Sequence, residues 1–228
     1  MDLALFRRIV FAAAVAGLLA GVLLTLVQQL QVVPIILEAE TYEVAEAAAP
    51  AAHDHTDGIA HDEEWAPADG WQRTLFTAGG NVLMAIGFGL LLGAAYTLRG
   101  QAVSVRQGLL WGLGGFAVFF LAPSLGLPPE LPGAWAAPLA DRQAWWLLTV
   151  ACSGAGLASL VFGHAWWLRL LGIVLLLLPH LLGAPHLPVR GGTAPAALEP
   201  AFIAATAIAN GVFWLALGAL TAGFLRRG

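Results

Sequence analysis

Six stretches of this chain carry no charged side chain, and each holds the roughly 20 apolar residues that a bilayer crossing requires. They cover residues 9–37, 74–98, 107–129, 143–168, 170–189 and 200–225. Hydrophobic residues make up 59% of the 228 and charged residues only 11%, with a mean hydropathy of +0.80, far from the balance of a soluble globular domain. The expected fold is an all-α, polytopic integral membrane helical bundle. Only Arg169 separates the fourth run from the fifth. Drawn as one helix from 144 to 183, they would reach roughly 60 Å at about 1.5 Å per residue, twice the hydrocarbon thickness. A tight turn near residues 163–167 is the better reading and makes six transmembrane helices; merging the two runs would leave five.

The basic residues set the orientation, because arginine and lysine near short loops gather on the cytoplasmic side. All ten are arginine. With both termini cytoplasmic, Arg7, Arg8, Arg99, Arg106, Arg169, Arg226 and Arg227 lie inside, and Arg73, Arg142 and Arg190 outside. Seven against three supports that arrangement. Arginines scattered at helix ends make no nucleic-acid patch, so no nucleic-acid partner is expected. Arg7 and Arg8 ahead of an apolar stretch also resemble the start of a secretory signal. The uncharged run to Leu37 is much longer than the roughly 7–15 residues usual there, so the first span is expected to stay. Cys152, the single cysteine, falls inside the fourth span and reads as a small packing residue beside Ser153 and Gly154.

This orientation gives one membrane domain, 1–228, with three extracytoplasmic loops: 38–74, 123–142 and 184–200. The first holds ten of the fourteen acidic residues and three of the six histidines, with Arg73 as its one basic residue. Imidazoles and carboxylates alternate there as His53-Asp54-His55, then Asp57, then His61-Asp62-Glu63-Glu64. Such a ligand set suits divalent transition metals, and His53, His55, His61, Asp62, Glu63 and Glu64 are candidate ligands. The competing reading is a solvated acidic linker. The second loop is proline-rich from Pro123 to Gly133, so the third span must end near Leu121 or break there. An ordered, partly re-entrant cap and a rigid linker both fit it. The third loop adds His186.

No charged side chain falls in the middle of a span, so the interior polar groups are neutral. In the six-helix drawing Gln28, Gln29 and Gln31 lie near the outer end of the first span, with Asn81, His180 and Asn210 near those of the second, fifth and sixth. They share one depth. Gln28 and Gln31 fall on one helix face, with Gln29 about 100° away. Pro179 should free the Leu175 carbonyl one turn back. That carbonyl, His180 and the amides of Gln28, Gln31, Asn81 and Asn210 make a candidate passage of neutral ligands; interhelical hydrogen bonding alone is the plainer alternative. Gly17 and Gly21 form a G-x-x-x-G pair, as do Gly89 and Gly93, and both read first as packing residues. Asn81 and Asn210 each precede a Gly-containing helix ending in Arg-Gly, which suggests a weak internal duplication.

Four segments carry a resemblance to a known family: 26–34, 64–74, 142–149 and, most specific, the proline-rich 119–133. They are similar to the CbtA family of predicted cobalt transporter subunits, over nearly the whole chain. The resemblance implies a bacterial inner-membrane, multi-pass component of cobalt uptake linked to cobalamin synthesis, working with a small single-span, His-bearing partner called CbtB. The family is often described with five spans. It supplies no site residues, so the candidates above rest on residue chemistry. Two functions follow. The first is a divalent-metal uptake subunit that captures cobalt, or nickel or zinc, at the acidic loop and passes it through the bundle. The second is a non-conducting metal receptor or assembly subunit. No tightly bound cofactor is expected and self-association is left open. No nucleophile, base and orienting group can be paired, so an enzyme is not expected.

Overall fold

The computed structural model describes residues 3–48, 66–100, 103–189 and 191–227. Seven helices are present among them. These are α1 (Leu3–Gln31), α2 (Val33–Ala48), α3 (Trp71–Leu98), α4 (Val105–Ser124), α5 (Leu139–Phe162), α6 (Trp166–Leu182) and α7 (Leu198–Arg227). Five of them, α1, α3, α4, α5 and α7, are long and apolar enough to cross a membrane. Large apolar side chains are exposed along their lengths, among them Leu83, Leu110, Leu147 and Ile208, as helices facing lipid require.

The turn expected between the fourth and fifth runs is there. Phe162 ends α5, Gly163 takes an extended conformation, and α6 starts at Trp166, so Trp166 and Trp167 belong to the helix and not to the turn. At 17 residues α6 spans about 25 Å, short of a full crossing but long enough to return to the level of the α5 start. There the Trp145 indole N–H donates to the Pro179 carbonyl at 3.2 Å. The sixth apolar helix thus exists but is shorter than the other five.

Proline sets both helix breaks that matter. Pro34 has no N–H and crowds the carbonyl four residues back, so α1 stops at Gln31. Val32 turns the chain, accepting from Ile35 and Ile36 at 3.1 Å, and α2 begins. Within the 38–74 segment, residues 38–48 are helical and α3 already starts at Trp71. Pro123 acts likewise on α4, where Ala117–Leu121 form a π-helical turn and Ala122 N–H donates to Ala117 O, five residues back. The break expected near Leu121 is therefore a widened turn, and the helix ends at Ser124. Within the 123–142 and 184–200 segments, α5 starts at Leu139 and α7 at Leu198.

Packing follows the small residues. The pairs Gly17/Gly21 and Gly89/Gly93 face each other's helix: a Cβ on Gly17 would lie 2.6 Å from Ile86 N, one on Gly21 2.6 Å from Val82 Cα, and one on Gly89 3.2 Å from Ala13 Cα. α1 and α3 run antiparallel at the closest approach that backbones allow. Gly108 and Gly112 of α4 meet Gly218 and Trp214 of α7, and Gly156 of α5 meets Gly172 of α6, in the same way. α7 is central, packed against α4, α1 and α3, while the α5–α6 hairpin joins through α4. The suggested duplication of α3 and α7 does not extend to the apolar spans before them, because α1 packs extensively on α3 whereas α6 packs on α5.

Charge separates the two ends. Arg8 Nη2 donates to Leu225 O at 2.8 Å and Arg99 lies over the Phe162 ring at 4.3 Å, so the arginine-bearing ends of α1, α3 and α7 share one end with the Phe162 end of α5. Both described chain ends lie there. Among the described residues every carboxylate, from Glu38 to Glu199, sits at the opposite end.

Candidate functional site

At the acidic end, α2 is tied to α3. The Arg73 guanidinium donates both Nη1 and Nη2 to the two oxygens of Glu40, with Nη1 also 3.2 Å from Asp69. This bidentate pair is about two-thirds buried, so it holds better than an exposed pair worth about 0–1 kcal/mol. The apolar side of α2 fits the same pose, with Ala39 fully buried and Ile35 and Ile36 packed on the core. The segment with His53, His55, His61, Asp62, Glu63 and Glu64 follows α2 directly; these six candidates lie outside the described residues.

The two remaining outer connections form one ordered cap. Trp135 N–H donates to Gly191 O at 2.8 Å, Thr193 N–H to Gly133 O at 3.3 Å, and Ala134 bridges Gly192. Gly133 has φ +71°, and a Cβ there would meet Thr193 Oγ1 and lie 2.8 Å from Glu43 Cγ, so glycine is required and α2 touches the cap. Arg142 pins the cap to α5 through Glu130 at 2.6 Å. A cavity of about 420 Å³ opens in this cap, lined by His186, Glu130 and Glu199 together with Trp135 and prolines. Among the described residues no three His, Cys, Asp or Glu side chains come close enough to hold a metal ion together.

Beneath the acidic end, α1 and α3 share a polar cluster. Asn81 Nδ2 donates to Gln28 Oε1 at 2.7 Å and to Thr25 Oγ1 at 3.0 Å, and Thr25 passes its own proton to Gly21 O at 2.9 Å. One turn outward Gln29 Nε2 donates to Thr74 Oγ1 at 3.2 Å. The sequence reading brought Gln28 and Asn81 to one depth, and they meet. It placed Gln31 on the face of Gln28, but Gln31 is exposed and Gln29 faces α3 instead. The reason is the packing stripe: Gly17, Gly21 and Thr25 recur every four residues, and its continuation falls on Gln28 and Gln29. Thr25 was missed, although its place three residues before Gln28 signals it.

The other candidates stand apart. Asn210 donates to Thr206 O of its own helix at 3.0 Å. His180 is half-buried on α6 with its ring edge-on to Trp145, centroids 5.9 Å apart, and His186 is exposed at the cap. The single passage expected from shared depth is thus divided: the amide cluster lies between α1 and α3, His180 on the α5–α6 hairpin and Asn210 on α7, while the loop residue His186 lines the cap cavity. Chemically the first offers uncharged oxygens, since Asn81 Oδ1 and Gln29 Oε1 accept no protein hydrogen bond among the described residues.

A family model described as probable cobalt transporter subunit (CbtA) matches residues 6–226, nearly the whole chain, and the chain belongs to that family. No curated protein and no solved structure gives a match.

Proposed function

We propose that this member of the probable cobalt transporter subunit family works in a bacterial inner membrane as an uptake subunit for cobalt, or nickel or zinc. In this reading the acidic end faces outward and the arginine-rich end the cytoplasm, as the positive-inside rule asks. His53, His55 and His61, with Asp62, Glu63 and Glu64, raise the local metal concentration at the entrance. His186 and the cap cavity form the rim, and Gln28, Asn81 and His180 supply neutral ligands on the way in, with Gln31 and Asn210 at the same end. The observation that carries this reading is the gathering of all described carboxylates at the end beneath which the Thr25–Gln28–Asn81 cluster sits. A small single-span, His-bearing subunit is the expected partner.

Energetics favour a partner. A divalent ion crossing on neutral ligands alone loses hydration that amides only partly replace, so water or groups from another subunit must contribute. The same point supports a second reading, a metal receptor or assembly subunit that does not conduct, because no charged side chain lies in the middle of any span. The capture step is tested by replacing His53, His55 and His61 together with alanine. Cobalt uptake should fall several-fold at limiting metal and return to near the parent rate at saturating metal. Unchanged uptake at limiting metal would make the segment a linker.

A further inference from the structure

A second cavity, of about 370 Å³, opens at the arginine-rich end, where the start of α1 meets the ends of α3 and α7. Its cationic lining is Arg8 and Arg226, and its walls include Leu5, Tyr96, Val103 and Leu225. Arg8 is held in place, since its Nη2 donates to the Leu225 carbonyl, which leaves its other N–H groups to face the cavity's contents. Tyr96 is anchored too, its hydroxyl bonded to Gly218 O at 3.1 Å. Among the described residues neither arginine has a carboxylate partner, and every described carboxylate lies at the other end of the bundle.

Two guanidinium groups from opposite ends of the chain thus converge on a cleft that no described carboxylate neutralises. Arginine presents its N–H groups as a planar fork that matches phosphate oxygens. The cleft also lies at the end of the membrane-crossing helices, at headgroup level, and its apolar wall suits a glycerol and the start of acyl chains. We propose that this cavity binds the phosphate of an anionic phospholipid, clamping the ends of α1, α3 and α7 together. Basic pockets between transmembrane helices commonly take such headgroups.

The test uses the full chain, delipidated in neutral detergent, with binding followed by native mass spectrometry and by the thermal midpoint. Phosphatidylglycerol should be retained in preference to phosphatidylcholine, whose phosphate carries its own cation, and should raise the midpoint. R226Q should weaken retention roughly 5-fold and R8Q/R226Q roughly 25-fold, while R7Q/R227Q, outside the cavity, should stay within about 2-fold. Because Arg8 also holds Leu225, the single R226Q variant keeps the test valid if the double variant folds poorly. Equal retention of the two lipids, or unchanged retention in R226Q, would overturn the proposal. Inorganic phosphate that stabilises as well as the lipid would keep the phosphate site but overturn the lipid as its source.

Discussion

Replacing Asn81 with leucine separates a conducting role from a packing role. Leucine is close in volume but removes the donor that bridges Gln28 Oε1 at 2.7 Å and Thr25 Oγ1 at 3.0 Å. Interhelical hydrogen bonds in membranes average about 0.6 kcal/mol and rarely exceed about 1.7, so two of them stabilise by about 1–3 kcal/mol. For a chain of this size that is a fall of roughly 3–10 °C in thermal midpoint. The fold survives it, since the glycine contacts between α1 and α3 remain and Thr25 keeps its bond to Gly21 O. Gln28→Leu removes one of the same bonds, so in a double-mutant cycle the two changes should cost less together than their sum. If the cluster is a step on the metal's path, losing one ligand worth about 1.4 kcal/mol lowers uptake about tenfold. The assay is the initial rate of radiolabelled cobalt uptake, normalised to monodisperse folded protein. Uptake within twofold of the parent, with the stability loss present, would reduce the cluster to helix glue.

Three further outcomes follow from named contacts. Gly17→Leu places a Cβ 2.6 Å from Ile86 N, and because backbone cannot retract, α1 and α3 must separate at a cost of about 1–3 kcal/mol. Gly79→Ala meets nothing within 4 Å and should leave the thermal midpoint nearly unchanged, so equal losses in the two variants would contradict the packing described. Arg73→Gln strands the largely buried Glu40 and frees α2, raising the rate of proteolysis within residues 33–48 several-fold; adding Glu40→Gln should restore part of the protection, and no change in either would show that the pair does not hold α2. His180→Ala should lower uptake at all metal concentrations and His186→Ala only at low ones, and the reverse pattern would exchange their assigned places.

Much of the fold was legible because arginines mark the ends of uncharged runs and Gly163 interrupts the fourth and fifth. The helix α2 was not, because the apolar run continues through Pro34 to Leu37 and hides a helix start inside what reads as one span; the spacing of Ile35, Ile36 and Ala39 was its only trace. The site was legible in part. Depth along a span can be counted, so Gln28 and Asn81 were rightly brought level. Which spans are neighbours cannot be counted, since every span is apolar and glycine-bearing, and shared depth alone put His180 beside residues that sit on a different pair of helices. The turn of Gln31 away from α3 has the same origin, because the facing stripe is set by Gly17, Gly21 and Thr25 meeting Ile86, Val82 and Asn81.

The most direct measurement is radiolabelled cobalt uptake into sealed vesicles holding this chain alone, the chain with its small His-bearing partner, and neither. An uptake subunit predicts accumulation above empty vesicles, with the chain alone or once the partner is added, and a fall of about tenfold in Asn81→Leu. Cobalt bound at the surface but never accumulated, even with the partner present, would contradict transport and leave a metal receptor.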